Sequence, residues 1–218
     1  AGIYVDRSNQ EGYAHLAGMF QDHPERFPLI TGKRIPLTGD QRYQPCTSNP
    51  DVIALMRATA DAFLSQRMRA GDEFTLFNDD GTGWCQCPYC AALDPPEEKE
   101  LRFVSTRFWI FANVLLGPLV DRHPDIKLGA IAYQNFQRAP VGVTPDPRLY
   151  VHKAYNRRCY RHALDDPDCP VNRVFHEYFQ EWSRLGNASY TWDQVDASAM
   201  KYMPTEHTFI NQLKAFHE

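Results

Sequence analysis

The sequence lacks an excess of basic residues, and this absence excludes one large class of function. Its 218 residues carry a formal net charge of −4, and the lysines and arginines are scattered among acids rather than gathered in a stripe. We therefore expect no nucleic-acid partner. A long apolar run is also missing, because the longest, residues 108–120, is interrupted by Asn113, Gly117 and Pro118. This run is too short to cross a bilayer, so we interpret it as a core helix and expect no membrane span.

Cysteines are too few for a disulfide scaffold. Six in 218 residues are nevertheless more than a typical cytosolic domain carries by accident. Residues 1 to about 30 contain no basic-then-apolar signal pattern, so composition leaves the compartment open. The hydrophobic content of 43% is enough for a substantial core, and the simplest interpretation is one domain over residues 1–218.

Apolar strand-like segments alternate with amphipathic helical segments along the chain. The predicted strands are Phe74–Phe77, Leu128–Tyr133, Leu149–His152 and Ala188–Trp192. Their separations are too long for hairpins, so the pattern predicts βα units, a parallel sheet and an α/β fold. A closed eight-stranded (β/α)8 barrel takes about 250 residues. We therefore predict a TIM-barrel-like fold that is a partial barrel.

Helix boundaries follow from capping residues and periodicity. Asn49 and Pro50 predict the start of a helix that ends at Gly71. Another helix is predicted over the apolar positions from residue 101 to residue 119, blunted by Gly117 and Pro118. We expect Asn172 to cap a third helix and Thr205 to open a last one.

Polar and aromatic side chains follow the predicted strands. In a parallel sheet the residues after each strand meet at one edge. The side chains expected there are Asn78, Asp79, Asp80, Tyr133, Asn135, His162, Trp192 and Asp193, with Tyr190 inside the last strand. Aromatic faces beside carboxylates and amides suit a sugar, whose C–H faces stack on rings while its hydroxyls form hydrogen bonds. We therefore predict a glycan partner.

The adjacent carboxylates Asp79 and Asp80 are the candidate catalytic pair. Two neighbouring carboxylates can divide the acid and base roles, because ionising one disfavours ionising the other. Glycoside cleavage requires one acid and one base. The alternative is that Asn-Asp-Asp-Gly at residues 78–81 is only a polar turn.

A C-x-C-x-x-C cluster closes the same segment. Cys87 and Cys90 have the spacing of a zinc knuckle, and Cys85 could be a third ligand. Cys46, Cys159 and His162 are candidates for the fourth ligand. A structural zinc is one interpretation, and disulfides or a thiol-lined packing patch are the other.

Five motifs in order carry a resemblance to a known family. They are residues 44–50, the Asp79-Asp80 loop ahead of the cysteines at 85–90, and residues 129–134, 159–162 and 190–193. Together, from about residue 23 to the C-terminus, they resemble the DUF4838 domain, glycoside hydrolase family 163. The resemblance implies a secreted or periplasmic (β/α)8-type barrel that cleaves β-N-acetylglucosaminyl linkages, in the manner of an endo-β-N-acetylglucosaminidase. It implies a retaining, substrate-assisted mechanism in which the substrate's acetamido oxygen is the nucleophile, with no cofactor required for catalysis.

The resemblance also assigns roles to residues. Asp80 falls on the family's acidic position and would be the general acid and base, with Asp79 as its polarising partner. Aromatic walls would come from Tyr133, Tyr190 and Trp192, with further hydrogen bonds from Asn78, Asn135, His162 and Asp193.

Two alternatives stay open, and the first of them rests on a departure from the family pattern. Where we expect the family to carry a Glu, this chain has Arg157 and Arg158. The first alternative is a non-catalytic carbohydrate-binding relative. The second is a zinc-stapled interaction domain in which the acids are only a turn.

Overall fold

A parallel sheet forms the centre of the protein. The computed structural model describes residues 18–37, 43–155, 157–192 and 210. Four strands lie side by side in chain order, and every neighbouring pair is parallel. They are β3 Glu73–Leu76, β4 Lys127–Tyr133, β5 Tyr150–Ala154 and β6 Ser189–Trp192, preceded by an antiparallel pair, β1 Leu29–Ile30 and β2 Lys33–Arg34. The predicted α/β class and parallel sheet are confirmed, but this sheet is not closed, so a full TIM barrel is not shown.

One helix directly precedes β3, three lie between β3 and β4 and one lies between β5 and β6, whereas residues 134–149, between β4 and β5, contain a 3-10 turn and no α-helix. The helices are α1 Pro50–Arg67, α2 Pro88–Ala91, α3 Pro96–Leu101, α4 Ser105–Arg122 and α5 Pro170–Ser183, with 3-10 turns at Pro24–Arg26 and Gln134–Phe136. The predicted start of α1 is confirmed, because the Asn49 side chain accepts hydrogen bonds from the backbone N–H groups of Asp51 and Val52. The helix ends at Arg67, before Gly71. The last predicted helix lies outside the described residues except for Ile210.

The prediction of one helix over residues 101–119 is wrong at both ends. Arg102 adopts a left-handed backbone conformation with φ 59°, which ends α3 and lets α4 begin at Ser105. Pro118 lies inside α4, which continues to Arg122. A proline cannot donate to the carbonyl four residues earlier, here that of Val114. The Arg57 guanidinium donates to this carbonyl at 2.5 Å, which satisfies the acceptor that Pro118 leaves open.

The prediction that Asn172 caps a helix is also wrong. Helix α5 begins at Pro170, and its N-cap is Cys169, whose Sγ accepts a hydrogen bond from the Asn172 N–H at 3.5 Å. Proline at the first helical position explains the earlier start, because its fixed φ and missing N–H suit that position. Asn172 is instead a fully buried side chain inside the helix.

The main core lies between the sheet and the helices. Helix α4 contributes its buried apolar face, including Phe108, Ala112 and Leu115, and packs against sheet residues such as Leu128 and Ala130. The expectation that residues 108–120 form a core helix is confirmed. Among the described residues, none of the helices has the length and apolarity that crossing a membrane requires.

The face of the sheet that points away from helix α4 is strongly concave. Strands β3 and β6 are three strand spacings apart, about 14 Å in a flat sheet. Yet the Tyr190 hydroxyl lies 3.0 Å from Glu73 Oε1, and the rings of Phe77 and Trp192 are 6.4 Å apart. Strand side chains stand roughly perpendicular to a sheet, so these contacts require the two edges to bend toward each other. Side chains from the first and last strands therefore converge on one space.

Candidate functional site

A cavity of about 310 Å³ opens where the strands end. It is lined by Phe77, Asn78, Asp79, Asp80, Ile131, Tyr133 and Trp192. These residues come from β4, from β6 and from the segment after β3, so the carboxyl-terminal edge of the sheet gathers side chains that are distant in sequence. Five of the predicted site residues are brought together here. The sequence analysis did not predict Phe77 and Ile131 as site residues, because an apolar residue in a strand is ordinarily interpreted as part of the hydrophobic core.

The Asp79 backbone is clamped by Gln44. The Gln44 Nε2 donates to the Asp79 carbonyl at 2.7 Å, and the Asp79 N–H donates to Gln44 Oε1 at 3.1 Å. The Asn78 side chain donates to the same carbonyl at 2.5 Å. Gln44 is buried, so this paired contact is shielded from water. Three hydrogen bonds therefore fix the backbone that presents the two acids.

Asp80 is held from the neighbouring strand. The Tyr133 hydroxyl, at the end of β4, donates to Asp80 Oδ1 at 3.2 Å. Gln134, which directly follows Tyr133, accepts a hydrogen bond through its side-chain oxygen from the Gly81 N–H at 3.1 Å. Gln134 has a left-handed backbone with φ 48°, a conformation that costs energy for a residue with a Cβ. The structure thus holds both sides of the acidic loop through side chains of other segments.

Two aromatic rings of the cavity lining, Phe77 and Trp192, pack together with His152. The Trp192 ring contacts the edge of Phe77, and His152 of β5 lies 5.8 Å from Phe77 and 6.0 Å from Trp192, centroid to centroid. Burial lowers the pKa of His152, partly opposed by the charge of Glu73. A neutral imidazole at pH 7 fits this apolar setting. His152 was not singled out from the sequence, because one histidine in a strand carries no pattern.

Three other predicted substrate contacts, Asn135, His162 and Tyr190, do not line the cavity among the described residues. Asn135 Oδ1 accepts a hydrogen bond from Trp84 Nε1 at 3.1 Å, which places its amide against the core. Tyr190 donates to Glu73, and with Lys127 this contact lowers the pKa of Glu73. His162 lies beside Cys159, and Asp193 is outside the described residues. The cavity lining in the described part of the chain therefore includes none of Asn135, His162 and Tyr190.

The two arginines of residues 157 and 158 have different environments. Arg158 is buried, its guanidinium lies 4.3 Å from the centre of the Tyr160 ring, and its Nη1 donates to the Cys159 carbonyl at 3.1 Å. Arg157 is exposed. Neither arginine is among the described residues that line the cavity.

Four cysteines form a buried cluster beside the acidic loop. Cys46, Cys85, Cys87 and Cys90 are at most 3% exposed, and their four sulfur atoms lie within 4.8 Å of one another. Of the three candidates for a fourth member, the structure selects Cys46. Its sulfur is 3.7 Å from Cys87 and 3.8 Å from Cys90. These distances exceed the roughly 2.05 Å of a disulfide, and the cluster could hold a metal ion.

Polar groups around the cluster favour negative charge on sulfur. The Leu29 N–H donates to Cys85 Sγ at 3.3 Å, and the Cys90 N–H donates to Cys87 Sγ at 3.4 Å. Hydrogen bonds with Cys85 and Cys90 lower the pKa of Cys46, while the shared proton raises the pKa of Cys85. Thiols this close cannot all ionise without a cation among them. The cluster is therefore compatible with a bound metal ion.

The cysteine cluster and the acidic loop are connected by a short segment. Gln44, which clamps Asp79, is two residues before Cys46, and its N–H donates to the Gly83 carbonyl at 2.9 Å. Tyr43 forms a parallel bridge with Gly83. A Cβ on Gly83 would lie 2.1 Å from the Tyr43 ring, so the close approach requires glycine. The position of the acids therefore depends on the segment that carries Cys46.

Fold and site together define an α/β protein with a cavity at the carboxyl-terminal edge of a parallel sheet and a buried four-cysteine cluster. Residues 13–218 match the model of the family described as Domain of unknown function (DUF4838), so the chain belongs to that family. Comparison with the curated proteins and with the solved structures found no match. The family resemblance drawn from the five sequence motifs is confirmed at this level.

Proposed function

We propose that this protein is a glycoside hydrolase that cleaves β-N-acetylglucosaminyl linkages, with Asp80 as general acid and base. One observation carries the proposal: Asp79 and Asp80 line the same cavity as Tyr133 and Trp192, at the edge of the sheet where α/β enzymes bind substrates. The cavity volume of about 310 Å³ is at the lower end of small-molecule sites. It suits one sugar residue of a larger glycan.

The chemistry divides between the two acids. Asp80, oriented by the Tyr133 hydroxyl, donates its proton to the leaving glycosidic oxygen. The acetamido oxygen of the substrate attacks the anomeric carbon as that bond breaks, and Asp79 accepts a hydrogen bond from the acetamido N–H. Water then attacks the cyclic intermediate and gives its proton to Asp80, which restores the acid and completes hydrolysis with retention of configuration.

The test is hydrolysis of aryl N-acetyl-β-glucosaminides by the parent chain and by Asp80→Asn and Asp79→Asn. Asp125→Asn is the matched control, since Asp125 is an exposed acid at the opposite end of β4. We expect Asp80→Asn to lose at least about a hundredfold in rate. The loss should shrink as the aryl leaving group becomes more acidic, because such a group needs no proton. Asp125→Asn should keep the parent rate.

Two results would contradict this assignment. If Asp80→Asn loses the same factor with every leaving group, Asp80 is not the general acid. If the folded parent has no activity but is thermally stabilised by N-acetylglucosamine, the protein is a non-catalytic carbohydrate-binding relative.

We also propose that the four-cysteine cluster holds a structural zinc ion. Tetrahedral Zn²⁺ with Zn–S bonds of about 2.3 Å places its sulfur ligands about 3.8 Å apart. The sulfur distances of 3.7 and 3.8 Å around Cys46 support this geometry. Four buried ligands leave no open coordination position, which favours a structural over a catalytic role. We expect chelation of the zinc to lower the melting temperature, and a purified chain without metal in this cluster would refute the proposal.

A further inference from the structure

We propose that Cys159, His162 and Cys169 form a second metal site, separate from the four-cysteine cluster. Cys159 and His162 lie in the loop after β5, and Cys169 is the N-cap of α5. Their ligand atoms all lie within 4.8 Å of one another, and Cys159 Sγ is 3.3 Å from His162 Nδ1. Neither cysteine is in a disulfide. Three side chains of types that bind zinc, two cysteines and one histidine, thus lie close together.

The ligands are pre-arranged by Asn172. Its Oδ1 accepts a hydrogen bond from the Cys159 N–H at 2.7 Å. Its Nδ2 lies 2.9, 3.0 and 2.8 Å from the carbonyl oxygens of Cys159, His162 and Ala163. Asn172 is fully buried, and its own N–H donates to Cys169 Sγ. One buried amide therefore fixes the loop that carries two ligands against the helix that carries the third.

The geometry suits a small divalent ion. Bonds of about 2.3 Å to sulfur and about 2.05 Å to nitrogen at a tetrahedral Zn²⁺ place those two atoms about 3.6 Å apart. The observed separation of 3.3 Å between Cys159 and His162 is close to this value. Two thiolates and one neutral imidazole form a borderline-soft donor set that favours zinc among the divalent ions of a cell. The two thiolates also neutralise the charge of the divalent ion, in a segment that already carries the positive charges of Arg157, Arg158 and Arg161.

This site differs from the four-cysteine cluster in exposure. Cys169 is buried, Cys159 is half-buried and His162 is exposed. Within the described part of the chain the group has three members. Three protein ligands with one exposed side leave a fourth position for water or an added ligand, as in zinc sites that do chemistry. The loop follows the carboxyl end of β5, so it belongs to the same edge of the sheet as the acidic loop.

The test is metal stoichiometry, which does not depend on any activity. Fully reduced, metal-free chain is titrated with Co²⁺ and with Zn²⁺, and native mass spectrometry counts the bound ions. We expect two ions per chain. His162→Ala and Cys159→Ser, which change accessible side chains, should each bind one ion while circular dichroism stays unchanged. His176→Ala is the matched control and should bind two.

The cobalt spectrum supplies a second readout. The four-cysteine cluster offers four thiolates and the second site two, so filling both gives six. His162→Ala should therefore lose about one third of the thiolate-to-cobalt absorbance. A parent that binds one ion, which His162→Ala does not remove, would overturn the proposal. So would a His162→Ala variant that still binds two ions with an unchanged spectrum.

Discussion

Replacing Gln44 by alanine tests whether the acidic loop is held by the segment that carries Cys46. The change removes both hydrogen bonds to the Asp79 backbone, at 2.7 and 3.1 Å, and leaves every cavity-lining side chain in place. Each such bond contributes about 1 kcal/mol net. The free energy of opening the loop should therefore fall by about 2 kcal/mol, which is roughly a 30-fold change in an equilibrium constant.

Hydrogen exchange measures this opening directly. We expect the Asp79 amide to lose about 30-fold in protection in Gln44→Ala, while amides of β5 keep theirs. Gln44→Glu keeps an acceptor for the Asp79 N–H but loses the donor, so its loss should be intermediate. Gln86→Ala is the matched control, because Gln86 is exposed between two cluster cysteines and bonds to Thr31 instead. If the protein is a hydrolase, its kcat should fall in the same order.

Two results would contradict the hypothesis that Gln44 holds the acidic loop. Unchanged protection of Asp79 in Gln44→Ala would mean that Asn78 and the contact between Gly81 and Gln134 hold the loop alone. Loss of protection throughout β5 would mean that Gln44 supports the whole fold rather than this loop.

Two further predictions concern stability. Burial lowers the pKa of Lys153 from 10.5 to about 8. Keeping this side chain charged in the folded protein therefore costs roughly 3 kcal/mol at pH 7. Its contact with the Phe179 ring offsets about 1 to 2 kcal/mol of that cost. Lys153→Met should therefore raise the free energy of unfolding at pH 7. The gain should shrink as pH rises from about 8 to 10.5, because the lysine then loses its charge in the folded state. Equal gains in urea unfolding at pH 7 and pH 10 would exclude the buried charge as the cause. Arg107 forms a buried ion pair with Asp94 and donates to the Cys85 carbonyl at 2.6 Å. Arg107→Met should lower the free energy of unfolding by about 3 to 5 kcal/mol, and a loss below about 1 kcal/mol in the same assay would contradict the role of the pair.

Local sequence signals predicted the sheet and much of the cavity. The strands are short apolar runs whose ends carry polar residues, and their separations, too long for hairpins, predicted the parallel topology. This logic placed Asp79, Asp80, Tyr133 and Trp192 together without any knowledge of contacts. It failed for Asn135, because a polar residue at a strand end can equally turn inward and satisfy a buried group such as the Trp84 N–H.

Contacts between distant segments were not predictable from the sequence. The pattern of apolar positions runs through residues 101–119 without a break, and only the left-handed Arg102 divides the helices. Pro118 is tolerated because Arg57, on another helix, bonds the carbonyl it leaves open. Cys46 was one of three candidates for the fourth ligand, since spacing cannot select a partner about forty residues away. Gln44 begins one of the family motifs, but the sequence did not predict its contact with Asp79, because that contact depends on the chain folding back onto the acidic loop.

The acids and the cysteines, which the sequence presents as rival explanations, belong to one structural unit. The acidic loop, which carries Asp79 and Asp80, follows β3, and five residues separate Asp79 from Cys85. The segment of Gln44 and Cys46 contacts both parts, bonding Asp79 on one side and joining the sulfur cluster on the other. A metal ion in the cluster would therefore rigidify the backbone that presents Asp79 and Asp80. Finding zinc there would consequently not favour an interaction domain over a hydrolase, and only the response of catalysis to Asp80→Asn separates the two.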